Sequence, residues 1–378
     1  MRVSVTSNRF LLFIIFTACL CIYFANQKKK TYENEDIVSI SSRFEIPSSK
    51  YTSILGPKLD KLPNQDDVIQ LFQLWKKEHG RVYSDQEEME KKFETFVLNL
   101  KYIVETNAKR DSPHSSLLGL TDFADLSFTD FKETYMTMNS DNMDIVNDHV
   151  DELTRSKPPS KLDWRWKGAV TPIKNQDSCG CCWAFSTVAS IDGIVAIKTR
   201  QLIPLSDQEV LDCEPYGNCS RGSVAKALDW VIKNKGIASQ KDYPYYEDKG
   251  ICTSGQISNS PTSRIKSHNL VKRSEKELLC AVAKQPLNVG VYAETKEFQH
   301  YKGGVFRGQK CPLDSLNTTH AMVIVGYDSV DSDEYWIVKN SWGTRWGDNG
   351  YMYIKRNTGK KYGVCAINAW GRLLVKNN

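Results

Sequence analysis

Residues 176–197 constrain this chain more than any other stretch. The run Gln176-Asp177-Ser178-Cys179-Gly180-Cys181-Cys182 is small and polar, and it opens straight into the apolar segment from Trp183 to Ile197. There Phe185, Val188, Ala189, Ile191, Ile194 and Val195 recur at helical spacing, which predicts a buried helix beginning at about Cys182. A thiol at that point feels the positive end of the helix dipole and the unpaired amides of the first turn. Both favour the thiolate, the nucleophilic form of cysteine. Three plainer readings compete: a metal site, three structural disulfide halves, or an apolar helix with incidental thiols. Structural zinc uses paired Cys/His clusters, and no second pair lies near this one. A disulfide at Cys179 is compatible with chemistry at Cys182.

A cysteine nucleophile needs a base, and the base needs an orienter. Two later segments supply candidates, Thr318-Thr319-His320-Ala321-Met322 and Lys339-Asn340-Ser341-Trp342-Gly343. Together with Cys179-Gly180-Cys181-Cys182-Trp183, and in this order, they resemble the plant-type papain and cathepsin family of cysteine proteases. The resemblance implies Cys182 as nucleophile, His320 as general base and acid, and Asn340 as the residue that orients the imidazole. It implies Gln176, six residues before Cys182, as an oxyanion donor beside the Cys182 amide. Trp342 would shield the His320–Asn340 bond and line the cleft. The implied reaction is attack on a peptide carbonyl by a Cys182 thiolate paired with the His320 imidazolium, then hydrolysis of the acyl-enzyme. One position departs. Cys181 stands where the family has Ser or Ala, and a thiol is a poorer helix cap than a hydroxyl.

The fold implied is α+β and papain-like: a helical lobe over about 158–265, a β-barrel-like sheet lobe over about 266–378, and a cleft between them. A helical inhibitory prodomain over about 66–130 precedes them, within a propeptide spanning 26–157. The residue pattern agrees. Val68, Ile69, Leu71, Phe72, Leu74 and Trp75 make one amphipathic helix. Glu88, Lys92, Phe96, Asn99, Ile103 and Asn107 follow on one face of a second. These six, and then Gly119, Thr121, Phe123 and Asp125, resemble the two proregion signatures of papain-type zymogens. Residues 26–65 read as a polar, loosely ordered lead, and 137–161 as an exposed linker suited to cutting. After about 268, short apolar runs read as strands: Leu287 to Tyr292, His320 to Tyr327, Tyr335 to Lys339 and Tyr351 to Lys355.

Cysteine placement divides the chain the same way. Of eleven cysteines, none falls between 22 and 178 and nine lie between 179 and 365, which points to one disulfide-bearing module in an oxidising compartment. The resemblance pairs Cys179 with Cys219, Cys213 with Cys252 and Cys311 with Cys365, leaving Cys181, Cys182 and Cys280 as thiols. At the N-terminus, Arg2 and Arg9 precede a 15-residue apolar run. That is short for a membrane helix, and residues 1–25 read as a signal peptide.

In the cleft, the resemblance makes Gly222 the partner of the substrate backbone, with Arg221 replacing a family glycine and favouring acidic groups at the third subsite. Ser223, Gly290 and Trp370 would line the second subsite. Asn218 and Asn317 are glycosylation sequons. The net charge of +5, with no dominant Lys/Arg run, gives no support for nucleic-acid binding. The expected partners are polypeptide substrates, the chain's own propeptide and cystatin-type inhibitors. The expected protein is a monomer without cofactor or metal, off the membrane after signal removal, in the vacuole, lysosome or extracellular space. Acidification would release the propeptide by neutralising carboxylates such as Asp122 and Asp125. The alternative reading is a papain-fold storage, defence or binding protein with little or no proteolysis.

Overall fold

The computed structural model describes residues 51–138, 157–254, 263–313 and 315–376. The expected signal segment and most of the linker lie outside them. The proregion comprises α1 (Thr52–Leu55), α2 (Gln65–Glu78), α3 (Gln86–Asn107), β1 (Leu117–Leu118) and α4 (Phe128–Tyr135). Asn64 and Asp85 cap α2 and α3 by accepting from the amides of Asp67 and Glu88, and the Glu88 carboxylate reaches back to the Ser84 amide at 2.7 Å. Leu71, Phe72 and Trp75 of α2 meet Phe96, Leu100, Ile103 and Val104 of α3 in one apolar core. Tyr51, Ile54, Leu55 and Leu59 join that core. Residues 51–59 of the expected loose lead are therefore packed, because their scattered apolar side chains find a surface the local sequence does not reveal. On the buried face of α3, Asn99 Nδ2 donates to the carbonyls of Ala124 and Leu126 at 2.9 and 3.0 Å. Asn107 donates to Leu118 O and accepts from Leu118 N, both at 2.9 Å. These two side chains stand in for a sheet neighbour and fix the extended chain beyond α3.

The remainder begins with β2 (Leu162–Asp163), then α5 (Cys182–Thr199), α6 (Asp207–Cys213) and α7 (Val224–Lys233). Helix α5 has no single apolar face and is buried along almost its whole length, Cys182 to Ala196, with Ser186, Thr187, Ser190 and Asp192 buried among its apolar side chains. Ser206 caps α6 by accepting from Glu209 N at 2.9 Å. The sheet half holds β3 (Ser267–Leu270), α8 (Glu275–Val282), β4 (Leu287–Val291), α9 (Lys296–Gln299), β5 (Tyr301–Gly303), β6 (Val305–Phe306), β7 (His320–Val330), β8 (Asp333–Lys339), β9 (Tyr351–Lys355) and β10 (Gly371–Val375). The strand order is β3-β10-β4-β7-β8-β9-β6, with β2 on β7 and β1 of the proregion on β5. The lobes do not divide cleanly at residue 266. Leu162 and Asp163 pair with Tyr327 and Gly326, and Trp370 and Leu374 pack into the core around α5.

Polar groups join α5 to the sheet. Ser186 Oγ donates to Met322 O at 2.9 Å, and Asn288 Nδ2 donates to Ser186 O at 2.6 Å. Below them, Lys339 Nζ of β8 donates to Thr171 O at 2.8 Å, and Thr171 Oγ1 donates to Asp192 of α5 at 2.7 Å. Lys174 binds Asp207 at 2.5 Å in the same cluster. Burial pushes the Asp207 carboxyl up to about 6 and the Lys339 ammonium down to about 8, so each charge here depends on the others. Lys339→Met removes one of the two cations, with Lys174, that favour the Asp192 carboxylate and leaves Thr171 O without its donor; it is expected to cost about 2 kcal/mol of stability at pH 7. Urea unfolding measures it, and adding Asp192→Asn should restore part of the loss; a Lys339→Met protein as stable as the parent would contradict this.

Candidate active site

Cys182 is the first residue of α5, and Cys181, its N-cap residue, makes no side-chain capping bond. The Cys181 thiol turns instead to the Tyr245 hydroxyl, 3.3 Å away, and that hydroxyl donates to Gln176 O at 2.7 Å. The absent cap leaves the first amides of α5 to the cleft. Gln176 is fully buried. Its Oε1 accepts from Ser341 Oγ at 2.7 Å, and one Nε2 hydrogen goes to Cys179 O at 2.9 Å. The second Nε2 hydrogen is left over.

His320 opens β7 where β4 runs alongside, Val291 opposite His320 and Gly290 opposite Ala321. Its Nε2 lies 2.8 Å from Asn340 Oδ1. That oxygen can only accept, so Nε2 carries the hydrogen and the neutral ring keeps a lone pair on Nδ1. Among the described residues Nδ1 has no hydrogen-bond partner. The Trp342 indole lies over the ring, centroids 4.5 Å apart. Cys182 and Ala321, the neighbour of His320, belong to one buried cluster, and the Ala321 backbone interacts with the Cys182 thiol. The structure thus brings Gln176, Cys182, His320, Asn340 and Trp342 together. Ser341 and Tyr245, which orient Gln176, have no signal of their own in the sequence.

The other expected residues flank this centre. Gly222 lies flat on the Trp183 indole, where any Cβ would collide with the ring. Trp370 covers Gly290 in the same way, and its Nε1 donates to Thr318 Oγ1 at 3.1 Å. Ser223 spends its hydroxyl capping α7, accepting from Lys226 N at 3.2 Å. Arg221 is exposed. The Asn218 side chain accepts from the amides of Ser220 and Arg221 at 2.8 and 3.1 Å, while Asn317 is exposed. Disulfides join Cys179–Cys219, Cys213–Cys252 and Cys311–Cys365, and Cys181, Cys182 and Cys280 are free and buried.

The proregion covers the centre of this site. Phe123, Phe131 and Tyr135 pack on Trp342 with centroids at 5.2, 5.5 and 5.7 Å. Thr137 Oγ1 donates to Gly180 O, and Met138 forms a parallel bridge to Gly222. The cover changes the charge state. Burial pushes the Cys182 thiol up to about 12, against the amides of Ala321, Trp183 and Cys182 itself. Burial also pushes the His320 imidazole down to about 4, against the Asn340 side chain and the Tyr135 backbone. The expected ion pair therefore gives way here to a neutral pair, since neither group keeps the water that would solvate its charge. At Asp122 the acid trigger would act only at pH below the ordinary carboxylate range. Burial raises that carboxyl, but hydrogen bonds from His79 and Arg345 outweigh it and hold it below its ordinary range.

His320 supplies a different link to pH. In Cys182→Ser protein, where no thiolate can form beside it, protonation of the ring is suppressed only while it is covered, so the covered form of that variant is favoured above 6.5 and loses that advantage as pH falls from 6.5 towards 4. In full-length Cys182→Ser protein, NMR of labelled histidine should show His320 neutral at pH 5, and charged at that pH once the proregion is cut away. Titration near 6.5 with the proregion in place would contradict this.

Comparison with known proteins agrees with this geometry. Residues 158–370 match the papain family cysteine protease model, and residues 72–131 match the cathepsin propeptide inhibitor domain. Cysteine protease XCP2 of Arabidopsis thaliana is 43% identical over 335 residues, 87% of this chain and 92% of that protein. Papain of Carica papaya is 40% identical over 330 residues, covering 86% and 92%. Among solved structures, the recombinant stem bromelain precursor superposes with a TM-score of 0.72 at 35% identity, covering 82% of this chain and 99% of that one. The proform of the ragweed pollen cysteine protease Amb a 11 gives 0.74 at 31%, covering 83% and 96%. The chain belongs to the papain family of cysteine proteases and carries that family's inhibitory propeptide.

Proposed function

We propose that Cys182, His320, Asn340 and Gln176 carry out peptide-bond hydrolysis as an endopeptidase. The observation that carries this reading is the 2.8 Å contact from His320 Nε2 to Asn340 Oδ1, which leaves the Nδ1 lone pair available to take the thiol proton. Once uncovered, Cys182 passes its proton to Nδ1, and each charge stabilises the other. The thiolate adds to the scissile carbonyl. The oxyanion takes hydrogen bonds from the Cys182 amide, which has no partner within α5, and from the unspent Nε2 hydrogen of Gln176. His320 returns the proton to the leaving amine, then draws one from the water that hydrolyses the acyl-enzyme.

Gly222 would pair with the substrate backbone. The parallel sense of the Met138 bridge at that glycine supports a proregion lying in the reverse of the cleavable direction. Maturation would cut the segment before Pro158. The three disulfides support passage through the secretory pathway, to a vacuole, a lysosome or outside the cell, as a monomer open to cystatin-type inhibitors. Exposed Asn317, three residues before His320, is the better-placed glycan acceptor.

Labelling the acid-matured protein with a thiol-directed epoxide and mapping the adduct tests the centre. The adduct is expected on Cys182 and not on Cys181 or Cys280, and Cys182→Ala should lose at least ~10⁴-fold in kcat/KM. An unlabelled Cys182 in folded, matured protein would favour the storage or binding reading.

A further inference from the structure

The proregion marks out the cleft. Met138 sits at Gly222 and Thr137 at Gly180. Phe123 and Tyr135 sit on Trp342, and Asp122 sits on Arg345, three residues past Trp342. With Gly222 on the acyl side of the scissile bond, Trp342 and then Arg345 fall on the leaving-group side.

Arg345 holds Asp122 through a fork, Nε at 2.8 and 3.1 Å from the two carboxylate oxygens and a terminal nitrogen at 2.8 Å. Lys302 backs it. Its Nζ donates to Arg345 O at 2.8 Å, and Asp122 is the carboxylate that most favours its charged form. Lys302 lies beneath the proregion, its side chain against Gly119. Two cations of the mature domain thus converge on one proregion carboxylate. A planar guanidinium with its fork already aimed is well suited to this. Cutting away the proregion removes Asp122 and leaves the fork facing solvent. Asp177 also lies in the field of Arg345, but burial, and then the neighbouring Glu247, favour its protonated form.

We propose that Arg345, with Lys302 behind it, is a carboxylate-binding subsite of the mature protease on the leaving-group side of the cleft, and that Asp122 fills it only while the proregion is attached. The subsite takes an acidic side chain, or the C-terminal carboxylate of a peptide, beyond the scissile bond. This inference rests on the catalytic reading above.

The test uses the full chain, expressed and acid-matured, with amide-terminated peptides carrying Glu or Gln at each of the first three positions after the scissile bond. At one of them kcat/KM should favour Glu by about threefold to tenfold, the range of an exposed but forked ion pair. The ratio should fall to about one in Arg345→Gln and lie between in Arg345→Lys. Preference for short peptides with a free C-terminus over their amides, lost in Arg345→Gln, would identify the terminal carboxylate as the occupant. A ratio of one in the parent at every position and with both termini, or any preference unchanged in Arg345→Gln, overturns the proposal and reduces Arg345 to a proregion latch. Failure to cut Glu and Gln peptides alike would instead strike the catalytic reading, and this inference with it.

Discussion

The Trp342 indole serves two partners at once. On one side it lies 4.5 Å from the His320 ring and shields the bond to Asn340. On the other it receives Phe123, Phe131 and Tyr135 of the proregion. Phe298 and Trp346 hold it from behind, at 5.9 and 4.9 Å. Aromatic packing of this kind is strong because it removes a large apolar area from water. The surface that positions the imidazole is therefore also the surface that binds its inhibitor, and docking the proregion necessarily desolvates the histidine.

That coupling explains how the groups proposed to react can be held inert in one chain. Helix α5 presents Cys182 at its positive end, and the missing cap at Cys181 leaves the amides there unspent. These features favour the thiolate only where the charged pair is solvated. Under the proregion the desolvation penalty outweighs them, and both groups are held neutral. Inhibition here is thus electrostatic as well as steric. The proregion core, with Asn99 and Asn107 pinning the extended chain, supplies the rigidity that keeps the cover in place.

Much of this can be read from the residues in order. Cys182 at the head of an apolar helix, the polar residues Asn99 and Asn107 on an otherwise buried face, and the long strands β4, β7, β8 and β9 all leave local patterns. What the sequence hides depends on contacts between distant segments. Strands β3, β5 and β6 are shorter, and pairing rather than composition makes them and β10 strands. Residues 51–63 look polar until α2 and α3 offer a surface. Met138 lies at the edge of a polar linker, and nothing local shows that it pairs with Gly222. The Asp122–Arg345 fork joins residues 223 positions apart. The charge state of Cys182 and His320 is a property of the cover and not of either segment.

On uncovering, the neutral thiol–imidazole pair should become an ion pair. The rate of Cys182 alkylation by iodoacetamide between pH 4 and 9, before and after removal of the proregion, reports that change. The precursor should show negligible alkylation across that range, and the matured protein a fast rate that persists well below pH 7. Equal rates in the two forms, or a matured thiol that reacts only near the ordinary thiol pKa of about 8.5, would contradict it.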